Sequence, residues 1–426
     1  MKSHAFACSL TLLASSFAVH ANPLIQPNDT LAICGDSITA EHLYSAYMED
    51  YLLMCAPTNG LNVVQFGWSG EGAPQFLARL DKDVFPYKPT IATSTYGMND
   101  GRYGPMTDDI ATTYRNAQTG IVDTMRKNGV RTFVLGSPKC VDPFYYRRDP
   151  NAPLADNPAA DVYNQTLGSL AGIDKDIAAK EGIVYADVYG VMLDTMKRAK
   201  AANGNNYSLG GLDGVHPGPS GSLVLAYAFL KALGCTGDIA TITVDMGTNT
   251  ATATKGQEVE GMKDGVVSLK STRYPFCFSG SLDDKGDDST AGVLKFVPFN
   301  QELNRYILIV NGLKTPKAKI TWGETHEYTA DQLSKGVNLA ADFMVNPFRD
   351  QFFHVHQAVQ FQQQQEMMLM QGSMSGAKIY KNTFPAASAA IDQWINSGMA
   401  LRSALYKSCA AFAAPIEHTI KIEPSN

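Results

Sequence analysis

Between Thr30 and about Gly234, short apolar runs alternate with segments of helical period, and this alternation restricts the fold more than any other feature of the chain. The runs are Thr30–Cys34, Asn62–Phe66, Thr90–Tyr96, Thr132–Gly136 and Ile183–Asp187, each too short for an ordinary helix. Between two of them, Leu43, Tyr44, Tyr47, Met48, Tyr51 and Leu52 recur at three- and four-residue steps. Ile110, Tyr114, Ala117, Ile121 and Met125 do the same before an Asn128-Gly129 stop. That spacing predicts amphipathic helices with one buried stripe, so the tyrosines read as core rather than as a ligand platform. Ser222–Gly234 is apolar nearly all round and predicts a buried helix. Strands of this length separated by such helices predict a parallel sheet covered on both faces, an α/β fold.

After Gly234 the pattern changes. Ala240–Thr254, Gly265–Lys270, Val293–Phe299, Arg305–Gly312 and Lys319–Gly323 are rich in Thr and Val and separated by Gly and Asn turns. They predict a smaller antiparallel β segment. Ser279–Gly292 reads as a solvated acidic loop, because its aspartates lack calcium-loop spacing. From Pro347 a Gln- and Met-rich stretch and then Ala390–Ala414 predict a helix pair docked on another domain or on a second copy of the chain, so a homodimer through the C-terminal helices is one expectation. The expected organisation is a leader over 1–21, an α/β domain over 22–236, a β-rich domain over 237–346 and a C-terminal helical region over 347–426.

Residues 1–21 carry Lys2, an apolar stretch and the small-residue ending Val19-His20-Ala21, the pattern of an export signal cut after Ala21. The expected destination is the periplasm or the medium, with no membrane span, since the apolar stretch is too short for a bilayer. Lys2 is the leader's one charge, so its removal takes the net charge from −6 to −7. So acidic a chain has no electrostatic footprint for nucleic acid or an anionic membrane. Cys34, Cys55, Cys140, Cys235, Cys277 and Cys409 remain after cleavage; export permits disulfides, while Cys34 in a core strand reads equally as a buried thiol. No Cys or His spacing suggests a metal, and no cofactor is expected.

Ser37 in Gly35-Asp36-Ser37-Ile38 follows the first strand, where a serine either caps a helix or serves as a nucleophile. A nucleophile needs a base. His216 lies in the Gly- and Pro-rich loop Gly210–Gly221, with Asp213 three residues before it, a spacing that can bring a carboxylate to Nδ1 and leave Nε2 facing a serine. Oxyanion donors are expected from the ends of the second and third strands: the Gly67 N–H and the Asn99 side-chain amide, with the Ser37 N–H. Sites in open α/β sheets form beyond the carboxyl ends of the strands, which predicts that Ser37, Gly67 and Asn99 converge. Asp36, Trp68, Arg102 and Tyr103 lie beside these positions and are candidates for lining a substrate pocket, with simple packing as the alternative. His354 and His356 are two apart on a predicted helix, so they face different sides and read as packed or solvated.

Ser37 in "GDSIT", Gly67, Asn99 in "GMND", and Asp213 with His216 in "DGVHPG" stand in the order of the four sequence blocks of the SGNH, or GDSL-like, hydrolases, and the chain resembles that family over about Asn28–Leu233. The resemblance implies a flavodoxin-like three-layer α/β/α fold, Ser37 as nucleophile, His216 as base, Asp213 orienting it, and an oxyanion hole of the Ser37 and Gly67 N–H groups and the Asn99 side chain. The family's first block usually carries a Thr-Glu pair where Ala40 precedes Glu41 here. The segments "ITAEHLYSAYMEDYL", "GMNDGRY" and "VPFNQELNRYILIVNGL" resemble exported bacterial SGNH proteins grouped with carbohydrate acyl esterases. The expected function is a serine esterase acting on short acyl groups, chiefly acetyl, on carbohydrate, with a small-molecule or polysaccharide acyl ester as its partner. A lipase or acyltransferase of the same superfamily, or a carbohydrate-binding protein on a hydrolase scaffold, are the alternatives.

Overall fold

The structure, a computed structural model, describes residues 24–146 and 158–426. The leader lies outside these residues.

Five parallel strands form the first sheet: β1 (Thr30–Gly35), β2 (Asn62–Gly67), β3 (Ile91–Thr95), β4 (Thr132–Gly136) and β5 (Val184–Ala186), in the order β2-β1-β3-β4-β5. All five stand where the apolar runs predicted them. The connecting helices are α1 (Ser37–Ala40), α2 (Tyr44–Asp50), α3 (Ala73–Arg79), α4 (Asp108–Lys127), α5 (Pro158–Glu181), α6 (Val188–Asn203) and α7 (Pro219–Ala232). They enclose two apolar layers, one on each face of the sheet. Helix α4 shows why the sequence forms it. Thr107 caps it by accepting from the Ile110 N–H at 3.2 Å, Asp108 and Asp109 sit at its positive end, and Arg126 and Lys127 sit at its negative end. Ile110, Tyr114, Ala117, Ile121 and Met125 are all buried, as their spacing predicted.

The remainder holds two more sheets. One contains β6 (Asp238–Asp245), β7 (Thr250–Ala253), β10 (Arg305–Asn311) and β13 (Val337–Asn338), ordered β13-β10-β6-β7, with β6 and β10 parallel. The other is wholly antiparallel: β8 (Gln257–Lys263), β9 (Val266–Ser271), β11 (Lys317–Trp322), β12 (Glu324–Thr329) and β14 (Ile416–Ser425), ordered β12-β11-β14-β9-β8. Short helices α8 (Phe299–Glu302), α9 (Ala330–Lys335) and α10 (Leu339–Asp342) fill the connections. Val293–Phe299, expected as a strand, is a 3₁₀ turn leading into α8. Its Val293, Phe296, Val297 and Phe299 are buried by irregular backbone packing, which a strand-like composition cannot reveal. The C-terminal helices are α11 (Arg349–Leu369), α12 (Ala377–Thr383) and α13 (Ser388–Phe412), and the chain then returns as β14 to the centre of a sheet. All six cysteines among the described residues are buried free thiols. No described helix is long and apolar enough to cross a membrane.

Candidate active site

The site is assembled at the carboxyl ends of β1, β2 and β3. Asp36 answers whether Ser37 is a cap. The Asp36 carboxylate accepts the Ile38 N–H at 3.0 Å and caps α1 itself, which leaves the Ser37 hydroxyl unneeded by the helix. Asp36 is also buried, and burial pushes its pKa up to about 7. The expectation that Asp36 lines a substrate pocket is therefore corrected: its side chain is spent inside the turn.

The Ser37 Oγ lies 2.8 Å from His216 Nε2, and His216 Nδ1 lies 2.6 Å from Asp213 Oδ2. The other Asp213 oxygen accepts the Val215 and His216 N–H groups, each at 2.8 Å. Partial burial opposes its ionisation, but the His216 ring and those two N–H groups outweigh it and hold the carboxyl below the ordinary range. An ionised carboxylate on Nδ1 requires the proton there, so Nε2 carries a lone pair toward the hydroxyl. A hydroxyl, a lone pair and a fixed carboxylate in this line can move a proton off the serine.

The expected oxyanion donors separate. Asn99 lines the cleft with Ser37 and His216. Its amide donates to the Glu71 carbonyl at 2.9 Å and its oxygen accepts the Tyr103 hydroxyl at 2.8 Å, so one N–H remains to face a substrate. Gly67 does not point there. Alternation along β2 turns the N–H groups of residues 65 and 67 to the sheet's outer edge, and the Gly67 N–H donates to the Gln65 side chain. A Cβ on Gly67 would lie 2.3 Å from the Ala40 nitrogen, so this glycine is required for the close approach of α1 to β2. The residue that borders the cleft is Gly70, at φ +75°, whose N–H has no partner among the described residues. The signal was present in Phe66–Gly72, which holds three glycines; strand phase, invisible without the register, turns Gly67 away, and the turn beyond β2 brings Gly70 to the cleft.

The open cleft has a volume of about 460 Å³, and Glu41, Ser69 and Met367 complete its wall. Tyr103 is where the sequence placed it, stacked on Tyr163 with ring centroids 5.2 Å apart. Trp68 and Arg102 are elsewhere. Trp68 packs under the Arg79 guanidinium, 5.2 Å from its ring centre, and Arg102 pairs with Asp109 at 2.8 Å beside a neighbouring recess. Glu71 ties down the Trp68–Gly72 turn, because its carboxylate holds buried Arg79 at 2.6 and 2.8 Å and accepts the Tyr96 hydroxyl at 2.9 Å. No cluster of three metal-ligating side chains occurs among the described residues.

A doubly covered parallel sheet with a serine and histidine at its carboxyl edge is an arrangement that serine hydrolases use. Residues 33–223 match the model of the GDSL-like Lipase/Acylhydrolase family, and that part of the chain is an SGNH, or GDSL-like, hydrolase domain. An acetylxylan esterase of Geobacillus stearothermophilus is 25% identical over 201 residues, which are 45% of this chain and 80% of that enzyme. A solved structure described as a gut microbial diltiazem-metabolizing enzyme superposes with a TM-score of 0.72 at 20% identity, over 94% of this chain and 98% of that one. It shares the fold over nearly the whole length, the second and third sheets and the C-terminal helices included.

Proposed function

We propose that this protein is a serine esterase that removes short acyl groups, chiefly acetyl, from a carbohydrate. The observation that carries the chemistry is the line from the Ser37 hydroxyl through His216 to Asp213. Ser37 Oγ attacks the ester carbonyl as Nε2 takes its proton, and the resulting imidazolium is stabilised by Asp213. The same proton then goes to the leaving alkoxide, and a water activated by His216 clears the acyl-enzyme. Negative charge on the tetrahedral oxygen is met by the Ser37 and Gly70 N–H groups and the Asn99 amide. The carbohydrate assignment is supported by the acetylxylan esterase relative, and the export pattern at the amino end would place the enzyme where polysaccharides are met.

Ser37→Ala and His216→Ala should each lower kcat on nitrophenyl acetate by several orders of magnitude. A fluorophosphonate should label wild type and not Ser37→Ala. Acetate release from acetylated polysaccharides, beside a chain-length series of esters, tests the substrate; a preference for long acyl chains would replace the acetyl assignment with a lipase.

A further inference from the structure

The loop that carries Asp213 and His216 is tied on one side to the segment after β4, where the Asp142 N–H donates to the Gly214 carbonyl at 2.9 Å. On the other side it is held by Asp287, from the acidic stretch Ser279–Gly292, and the expectation of a solvated loop is corrected at this residue: Asp287 is buried. One of its oxygens accepts the Gly211 N–H at 3.0 Å and the Gly218 N–H at 2.7 Å, and the other accepts the Gly221 N–H at 2.8 Å. Gly211 and Gly218 bracket Asp213 and His216 in sequence. A second tie runs the other way: the buried Ser220 hydroxyl sits between the Gly286 carbonyl, at 2.9 Å, and the Ser289 carbonyl, at 2.5 Å. Three amides on one carboxylate form a rigid frame, because each is charge-assisted and the group is screened from water.

Resting on the triad reading above, we propose that Asp287 is a positioning residue for Asp213 and His216, so that the polypeptide beyond the hydrolase core sets the geometry of the catalytic pair. Asp287 touches neither the serine nor a substrate. It acts by fixing the backbone from which both side chains project, and displacement of a general base by about 1 Å can cost on the order of 10²-fold in rate. The frame is sensitive to protonation. Burial pushes the Asp287 carboxyl up to about 6, against the pull of the three amides and of buried Lys139. Glu41, Tyr47 and Tyr207 are the other titratable groups within reach of its charge. Below that pH a proton on one oxygen faces an N–H, and the frame loosens.

The test uses the full chain with nitrophenyl acetate, over a pH range spanning about 5 to 8. Asp287→Asn keeps the shape but turns an amide toward one of the three donors. We expect kcat to fall on the order of 10²-fold with KM within about threefold, and the acid limb of kcat to become shallower than in wild type. Ser220→Ala should lower kcat in the same direction, by about tenfold, and it serves alone if Asp287→Asn does not fold. A folded Asp287→Asn with wild-type kcat and acid limb overturns the positioning role, as does a wild-type kcat in Ser220→Ala when that variant stands alone. Ser37→Ala separates the two readings: activity left in it overturns the triad and this inference with it, whereas an inactive Ser37→Ala beside an unimpaired Asp287→Asn overturns the inference only.

Discussion

Asn99 is the residue whose environment was hardest to foresee and whose role is simplest to test. Its oxygen and one amide hydrogen are occupied by Tyr103 and by the Glu71 carbonyl, which leaves a single N–H with a fixed direction. Asn99→Ala should lower kcat by about 10²-fold with little change in KM, because the lost bond strengthens only as the oxyanion forms. Tyr103→Phe removes the orienting hydroxyl and should cost less, about tenfold, with the same split of kcat from KM. The glycines make the complementary case. Ala at position 67 puts a Cβ against backbone of α1 and should impair folding, whereas Ala at position 70 meets nothing within 4 Å but is strained by about 1–3 kcal/mol at φ +75°, and should leave a folded protein with a displaced N–H and weakened turnover. Steady-state kinetics beside thermal melts distinguish the two outcomes. Ser37, Asp213, His216 and Asn99 were legible because each is marked by its own short motif. Gly70 was not, since the phase of β2 turns the Gly67 amide away and only the path of the turn after the strand brings Gly70 to the cleft.

At the scale of elements, α11 and α13 complete the edge of the first sheet. β2 is an outermost strand, and its outward groups are met by side chains: Tyr406 donates to the Leu61 carbonyl, Arg402 to the Val63 carbonyl, and Glu366 accepts the Gln65 N–H at 2.9 Å. A bare edge invites pairing with another chain, and two helices here take the place of a sixth strand. Glu366 and Arg402 form a buried pair at 2.6 Å, and Gln362 and Gln363 donate to buried Glu49 at 2.9 and 2.7 Å. Arg402→Ala leaves Glu366 buried without its partner and should cost about 3–5 kcal/mol, read from denaturant unfolding.

The same interface carries a pH dependence with a definite sign. Burial pushes Glu49 up to about 8 and raises Asp50, while His356, 2.6 Å from Asp50, is raised by that carboxylate in spite of its burial. Each group binds its proton more tightly folded than unfolded. Its contribution is therefore full below the unfolded pKa and is lost as pH rises through the folded one. His42 and His418, which burial pushes down to about 4, act oppositely as pH rises from about 4 to about 6.5, and the depressed Asp213 does so in stronger acid. The thermal midpoint should decline as pH rises from about 6.5 to about 8, and Glu49→Gln should flatten that decline. Of the two histidines in this helix, the sequence showed only that they face different ways. The partner of His356 comes from α2, some three hundred residues earlier.

Across the whole molecule the parts are interleaved. After α13 the chain returns as β14 between β11 and β9, so a sheet begun near residue 257 is closed only by the last ten residues. Met367 of α11 reaches the cleft wall, and Asp287 reaches the His216 loop. Deleting residues 414–426 should divide the antiparallel sheet and expose the facing edges of β9 and β11. Size-exclusion chromatography should then show aggregation, and a well-behaved monomer of unchanged melting point would contradict this account.

The amino-acid sequence by itself determined the parallel sheet, the buried stripe of α4, the all-round burial of α7, and the four motifs, whereas α2, expected to bury one stripe, is buried on every side. Periodicity and turn chemistry are local, and each is written within a dozen residues. Only the tertiary structure decided that the Gly67 N–H turns to the outer edge of the sheet while Gly70 borders the cleft, that Asp287 frames the histidine loop, and that residues 416–425 complete an interior strand. Each of those depends on register, or on a contact between segments far apart in the chain, and no local pattern encodes which distant group will satisfy a buried amide or carboxylate.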